Sequence, residues 1–149
     1  MKSRVISLFA VFLALIGLVG CSSPIQIPIR IPYEDFVTYG PHQNWYTTCG
    51  VGDTLVVTLG ANPTTGFRWP DIAQISNRDI LEQTDHRSVP PDQNTLIPPN
   101  QSEGVGAYGK DTWTFRATKK GVATILMTYV RPSEDVENEW TFKANITVE

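Results

Sequence analysis

The chain has 149 residues, 41% of them hydrophobic and 10% aromatic, which is enough for one globular domain with its own core. The formal net charge is −3 and no basic stripe runs along the sequence, which argues against a nucleic-acid partner. Two cysteines are too few for a disulfide framework, so a disulfide-rich scaffold is excluded as well.

Residues 1–20 are predicted to be an export signal. Lys2 and Arg4 form a positive start, and the apolar run that follows ends near Val19. This run is shorter than the roughly 20 residues that a permanent transmembrane helix needs. Residues 18–22 read Leu-Val-Gly-Cys-Ser and resemble a bacterial lipobox, which implies cleavage before Cys21 and acylation of that cysteine. An ordinary secretory signal, with Cys21 there by chance, is the alternative.

By the same resemblance, the mature protein is exported and lipid-anchored to a bacterial membrane through Cys21. Ser22 follows the cysteine in place of the aspartate associated with inner-membrane retention, which favours the outer membrane if the bacterium is Gram-negative.

A proline-rich segment, residues 21–32, follows the signal. Pro24, Pro28 and Pro32 recur at every fourth position, which forbids a helix and favours an extended, stiff tether. Alternatively, the isoleucines of this segment could lie along an edge of a sheet. Residues 33–149 are then predicted to form the folded domain.

Cys49 has no intramolecular partner if Cys21 is lipidated. Only His42 and His86 could activate its thiol, and nothing in their spacing suggests that they do. We therefore predict a structural role for Cys49, as a small buried side chain, rather than a nucleophile.

Short strands separated by turns dominate the rest of the sequence. We predict a weak first strand near residues 36–39 (A) and six stronger ones at residues 54–59 (B), 67–69 (C), 80–84 (D), 112–117 (E), 122–131 (F) and 140–148 (G). Four prolines exclude regular structure between residues 85 and 110. This pattern predicts an all-β fold, an immunoglobulin-like antiparallel β-sandwich.

Side chains that alternate at strand period are predicted to face the core. In strands B, E and G these are Leu55, Val57, Leu59, Trp113, Phe115, Ala117, Trp140, Phe142, Ala144, Ile146 and Val148.

The connections B–C, D–E and F–G are predicted to emerge at one pole, because successive strands of an antiparallel sandwich run in opposite directions. All the unusual loops fall in this set, whereas the opposite pole has the plain hairpin around Lys119 and Lys120. Antibody variable domains use the same set of loops for binding.

The B–C connection has the composition of a rigid loop. Pro63 fixes its own φ and makes Asn62 extended, while Gly66 can adopt positive φ at little steric cost. Thr64 and Thr65 are β-branched and stiff at χ1. On this local pattern alone, a strand-to-strand loop without a partner is the simpler interpretation.

Three motifs, in this order, resemble the signature of the chagasin family of cysteine-peptidase inhibitors. The first is highly specific, the second is weak alone and the third is moderately specific. They are Asn62-Pro63-Thr64-Thr65-Gly66-Phe67 with Trp69 two residues on, Gly104-Val105-Gly106 before an aromatic strand, and Tyr129-Val130-Arg131-Pro132. The resemblance covers about residue 51 to the C-terminus, and it favours a functional role for the three loops.

The resemblance implies an immunoglobulin-like domain whose three loops form a wedge. The wedge enters the active-site cleft of papain-like cysteine peptidases and blocks it reversibly, without covalent chemistry. The first loop would lie nearest the catalytic cysteine, the second along the substrate cleft, and the third would brace the other side. The peptidase-binding residues it implies are Asn62, Pro63, Thr64, Thr65, Gly66, Phe67, Gly104, Val105, Gly106, Ala107, Arg131 and Pro132, while Trp69 is assigned to the core.

Two residues depart from the family pattern. Ala107 stands where a second glycine is usual, and Ser133 where a tryptophan usually follows Arg-Pro. Aromatic anchors are often interface hot spots, whose truncation costs about 2 kcal/mol or more. These departures predict weaker inhibition or a shifted target range. They also leave open an alternative, a membrane-anchored immunoglobulin-like binding module with a non-peptidase partner.

An enzyme is the less favoured interpretation. His42 and His86 lie in segments predicted to be irregular, and no metal-ligand spacing occurs. The acidic residues between positions 134 and 139 are interpreted as a solvated loop. We therefore expect no catalysis, no cofactor and no metal, and a monomer whose partner is a papain-like cysteine peptidase.

Overall fold

The computed structural model describes residues 23–90, 108–131 and 140–149. The predicted signal, Cys21, the second loop from Gly104 to Ala107, and Pro132 with Ser133 lie outside this part of the chain. Its elements are β1 (Gln26–Ile31), α1 (Tyr33–Thr38), β2 (His42–Cys49), β3 (Thr54–Ala61), a 3-10 turn (Pro63–Thr65), β4 (Gln74–Ile75), β5 (Leu81–Val89), β6 (Gly109–Ala117), β7 (Gly121–Tyr129) and β8 (Trp140–Val148).

Two four-stranded sheets pack as a sandwich, which confirms the predicted fold class. Their strand orders are β1-β3-β6-β5 and β2-β8-β7-β4. Both sheets are mixed rather than purely antiparallel, because β1 pairs in parallel with β3 and β2 in parallel with β8. Parallel neighbours need a crossover connection, and the passage through α1 and β2 provides one between β1 and β3.

The core lies between the sheets and includes all the side chains predicted from strand period in strands B, E and G except Trp140. Removal of this apolar surface from water is the main stabilising contribution to such a fold. Trp140 is half-buried and packs against the core from its edge. The fully buried side chains include Leu55, Val57, Leu59, Trp113, Phe115, Ile125, Phe142 and Ile146.

The predicted strand A is wrong, because residues 33–38 form the short helix α1. Glu34 and Asp35 lie in its first turn, where negative charge favours a helix. Phe36, only 2% exposed, packs between Trp69 and Trp140 at ring-centroid distances of 5.4 and 5.1 Å. Tertiary packing of Phe36 therefore stabilises this helix, and an analysis of strand periodicity cannot detect such packing.

Strand β2 was not predicted. It is an edge strand that pairs only with β8 among the described strands, and most of its residues are exposed. Its apolar residues therefore do not alternate. Cys49, at its end, is 5% exposed, and burial together with the nearby Asp53 raises the pKa of its thiol. Burial of a protonated thiol agrees with the structural role predicted for this cysteine.

Regular structure extends further than predicted on both sides of the D–E connection. Residues 85–89 continue β5 and pair with β6, up to the pair Val89↔Lys110. Backbone hydrogen bonds to β6 hold these residues in the sheet, although apolar and polar side chains do not alternate along them. In contrast, predicted strand C is reduced to one bridge between Arg68 and Val130, with Trp69 in the core at 3% exposure.

Over Gln26–Ile31, the proline-rich segment lies along the edge of a sheet, which was the alternative to an extended tether. These residues form edge strand β1, with Ile29 and Ile31 buried. Pro28 is tolerated there because an edge strand does not need every N–H. The sheet thus includes residues that were predicted to belong to the tether.

No helix in the described ranges is long and apolar enough to cross a membrane.

Asp53 fastens the start of β1 to the turn before β3. Its carboxylate accepts hydrogen bonds from the backbone N–H groups of Ile25, at 2.9 Å, and Gly50, at 2.7 Å. These two bonds lower the pKa of Asp53, although burial acts in the opposite direction. The charged carboxylate therefore stabilises the fold.

We predict that Asp53→Asn lowers the melting temperature at neutral pH and weakens its acid dependence. A lowered folded-state pKa gives stability that is fully present above the unfolded pKa and lost as the pH falls through the folded pKa. Thermal melts by circular dichroism, from neutral pH to about pH 2, measure this contribution. The exposed Asp79→Asn is the matched control, and identical acid dependence in the two variants would contradict the assignment.

Candidate functional site

The first loop is held in shape by its own side chains. Asn62 Oδ1 accepts hydrogen bonds from the backbone N–H of Thr64, at 3.2 Å, and from the Thr64 hydroxyl, at 2.5 Å. The Thr65 hydroxyl donates to the Asn62 carbonyl at 2.7 Å. Gly66 ends the turn with φ of 80°, a left-handed conformation that favours glycine. Pro63, Thr64 and Gly66 remain exposed at the tip.

Tyr129, on β7 of the opposite sheet, holds the base of this loop. Its hydroxyl accepts a hydrogen bond from the Asn62 N–H at 2.8 Å and donates to the Asn62 carbonyl at 3.2 Å. Burial raises the pKa of Tyr129, and the hydrogen bond with the Asn62 backbone only partly opposes this. The hydroxyl therefore stays protonated at neutral pH and can fill both roles.

Arg131 braces the same loop from the end of β7. Its Nη2 donates to the Thr65 carbonyl at 2.6 Å, and its guanidinium carbon lies 4.9 Å from the centre of the Phe67 ring. A Cβ on Gly66 would lie 3.5 Å from Arg131 Nε, an ordinary van der Waals distance, so the positive φ and not lack of space favours glycine here. The structure thus gives Arg131 an internal role, and its direct contact with a peptidase stays a prediction.

The described ends of all three predicted loops lie at one pole of the sandwich. In the first sheet, Ala61 pairs with Gly109 and Val89 with Lys110. In the second sheet, β7 and β8 end together at the pair Tyr129↔Trp140. The hydrogen bonds from Tyr129 and Arg131 to the first loop join the two sheets there. The predicted positions of Gly104, Val105, Gly106, Ala107 and Pro132 themselves stay predictions.

Aromatic rings pack beneath these loop ends. Phe67 stacks on Tyr129 at 5.6 Å between ring centroids, and Tyr129 on Trp140 at 5.5 Å. Tyr33, from α1, extends the cluster to Tyr108. Sequence reasoning missed Tyr33, since no motif includes it, and used Tyr129 only as part of a motif. The sequence offered one sign of its role, since Tyr33 is an aromatic residue directly after Pro32, the last of the regularly spaced prolines.

A cleft of about 320 Å³ lies beside the first loop, between Pro63, Phe67 and the end of β5. Asp71 and Asp111 also line this cleft, and His86 beside them stacks on Trp113 with ring centroids 4.9 Å apart. The two ring nitrogens of His86 lie 3.6 Å from the Asp71 carboxylate and 3.5 Å from that of Asp111. His86 is thus part of strand β5 and not of an irregular segment.

The described part of the loop pole offers surface and shape for binding. Within the described ranges, no group of three or more His, Cys, Asp or Glu side chains could hold a metal ion. Cys49 pairs with Val148 at the far end of β8, away from the loop pole, and its thiol is buried. What the pole presents is a stiff, small-residue turn supported by aromatic rings.

Comparison with known proteins gives both a family and a fold. The model of the chagasin family of peptidase inhibitors, I42, matches residues 48–146. No curated protein sequence matches the chain.

Solved structures resemble the chain at low identity, which shows the fold alone. The cysteine protease inhibitor EhICP2 from Entamoeba histolytica is 16% identical, with a TM-score of 0.57 over 85% of this chain and 100% of that one. Amebosin is 22% identical, with a TM-score of 0.53 over 86% of this chain and 100% of that one. PbICP-C, solved in complex with falcipain-2, is 14% identical, with a TM-score of 0.52 over 83% of this chain and 99% of that one.

We predict that Tyr129→Phe lowers the free energy of unfolding by about 1–3 kcal/mol, because it leaves the N–H of Asn62 without its partner and removes one of the donors to the Asn62 carbonyl. Urea denaturation measures this loss. Tyr46→Phe, on an exposed tyrosine of β2, is the control and should change little. Equal stability of the two variants would show that the hydroxyl does not fasten the loop.

Proposed function

Because the chain belongs to the chagasin family of peptidase inhibitors, we propose that it inhibits papain-like cysteine peptidases reversibly and without covalent chemistry. Membership of a family of inhibitors also agrees with the expectation that the chain is not an enzyme. EhICP2 is a cysteine protease inhibitor and PbICP-C was solved in complex with falcipain-2, and both support a cysteine peptidase as the partner.

The internally bonded turn at Pro63–Thr65 is the observation that carries this proposal. Asn62, Tyr129 and Arg131 hold the turn before any partner arrives. A loop that is already ordered loses little conformational entropy on binding, so more of its contact energy appears as affinity. The first loop therefore acts as the central finger of the wedge.

The shape of this finger explains why it would block a peptidase without being cleaved. The turn Pro63–Thr65 is a 3-10 helix rather than an extended segment, so it offers no extended scissile bond. The small side chains at its tip suit a narrow cleft. The Thr64 and Thr65 hydroxyls donate to Asn62 and hold the turn in this shape.

Gly104, Val105, Gly106 and Ala107 would line the substrate cleft on one side of the finger, and Pro132 would support the other. Ala107 and Ser133 make this surface differ from the usual family pattern, so we propose weaker inhibition or a different target range than that pattern implies. A wedge of three loops can reach the standard interface area of roughly 1,600 Å².

Cys21 is proposed to anchor the exported domain to a bacterial membrane by its acyl chains. Gln26, where β1 begins, pairs with Thr54 at the start of β3, whereas the first loop follows the end of β3. The N-terminal attachment is therefore at the pole opposite the loops. The five residues from Cys21 to Gln26 span at most about 18 Å. Such an anchor would hold the domain close to the bilayer with its loops directed away from it.

The test of the function is a titration of papain, assayed with a fluorogenic peptide, against the wild-type domain and two tryptophan variants. We expect reversible inhibition by the wild type, with the inhibitor recovered uncleaved. Thr64→Trp places an indole on the exposed tip and should weaken inhibition by at least about thirtyfold. Lys119→Trp, on the exposed hairpin at the opposite pole, is the control and should inhibit like the wild type.

No inhibition by the wild type at high micromolar concentration would contradict the proposal and favour an immunoglobulin-like module with a non-peptidase partner. Equal inhibition by the wild type and Thr64→Trp would remove the first loop from the mechanism. Both tryptophan variants should unfold within a few degrees of the wild type, because both positions are exposed.

A further inference from the structure

Tyr33 lies outside the region that the family model matches, yet it is built into the loop pole. It begins α1, and its backbone packs directly on Gly60, near the end of β3. A Cβ on Gly60 would overlap the backbone N and Cα of Tyr33, so glycine is required for this approach. The position of Tyr33 is thus fixed by main-chain packing just before the first loop.

The Tyr33 ring lies between residues that adjoin the other two loops. It stacks on Tyr108 with ring centroids 4.3 Å apart and an interplanar angle of 16°, and its centroid lies 4.8 Å from that of Trp140. Tyr108 directly follows the second loop in sequence, and Trp140 is the first residue of β8, after the third connection. Distances and angles of this kind are typical of favourable aromatic pairs.

Tyr33 also interacts with the first loop. It lines a cavity of about 280 Å³ together with Thr65 and Phe67 of that loop. Burial, and then the neighbouring Tyr108, raise the pKa of the Tyr33 hydroxyl. One half-buried side chain therefore touches the base of each of the three loops.

The need for such a link follows from the sheet topology. Tyr108 precedes β6 of the first sheet, whereas Trp140 begins β8 of the second. Strands in different sheets share no backbone ladder, so side chains must set the spacing between their loop ends. A wedge that enters a cleft depends on that spacing, because a small displacement of one finger misaligns the others.

We propose that Tyr33 is a positioning residue for inhibition, which sets the three loop bases relative to one another without contacting the peptidase. This rests on the proposed inhibitory function. It assigns a role in inhibition to the segment that precedes the family match, through Tyr33, which no family motif includes.

Four variants test the role: Tyr33→Ala, Tyr33→Leu, Tyr33→Phe and Tyr39→Ala. Tyr39 is 77% exposed at the end of α1 and is the matched control. Inhibition constants against papain are measured well below the melting temperature of each variant, so that all of the protein is folded. We expect about tenfold weaker inhibition for Tyr33→Ala and Tyr33→Leu, and less than about threefold for Tyr33→Phe, which keeps the ring.

A purely structural role would lower the melting temperature and leave inhibition by the folded protein unchanged. That result for Tyr33→Leu would overturn the proposal, as would equal loss in Tyr33→Phe and Tyr33→Leu. Tyr33→Leu keeps most of the apolar volume of the side chain, so it replaces Tyr33→Ala in the measurement if Tyr33→Ala does not fold. Tyr39→Ala should match the wild type, and equal loss in that variant would also overturn the proposal.

Hydrogen exchange separates this proposal from the inhibitory function itself. Backbone amides of the first loop and of the start of β8 should exchange faster in Tyr33→Leu than in Tyr39→Ala, whether or not papain is inhibited. Unchanged exchange would overturn the positioning role alone. Faster exchange together with a wild-type domain that does not inhibit papain would support the positioning role and reject the peptidase as partner.

Discussion

The hydrogen bonds between the Tyr129 hydroxyl and the backbone of Asn62 are the interaction on which the loop pole depends. One side chain of the second sheet accepts from the N–H of Asn62 in the first loop and donates to the carbonyl of the same residue. A buried hydroxyl that neither donates nor accepts would be destabilising, and so would an unpaired backbone group. The two sheets are therefore fixed to each other at the point where the first loop leaves the fold.

The other features of the pole follow from that attachment. Arg131 lies two residues past the end of β7 at Tyr129, and from there it reaches the Thr65 carbonyl. Phe67 stacks on Tyr129, and Trp69 enters the core with its indole N–H donating to the Gly60 carbonyl at 3.0 Å. The sandwich thus supplies a rigid base, and the loop that it carries needs little reorganisation to bind a partner.

Residues with strictly local causes were predictable from the sequence. Strand β8 has its predicted bounds because Phe142, Ala144 and Ile146 alternate. The first loop forms a turn because Pro63 fixes its own φ and Gly66 allows a positive φ. Strand β2, helix α1 and the far half of β5 were not predicted. Their order comes from pairing with β8, from burial of Phe36 and from pairing with β6, all of which are long-range contacts. Likewise, the hydroxyl that holds Asn62 is 67 residues away in sequence.

Occlusion of a catalytic cysteine by a pre-ordered wedge implies that the domain protects this cysteine from small reagents. The rate at which iodoacetamide alkylates the active-site thiol of papain is measured with increasing amounts of the wild-type domain. Stoichiometric protection, reversed on dilution, is the predicted result. An alkylation rate that is unchanged at saturating domain concentration would contradict the claim.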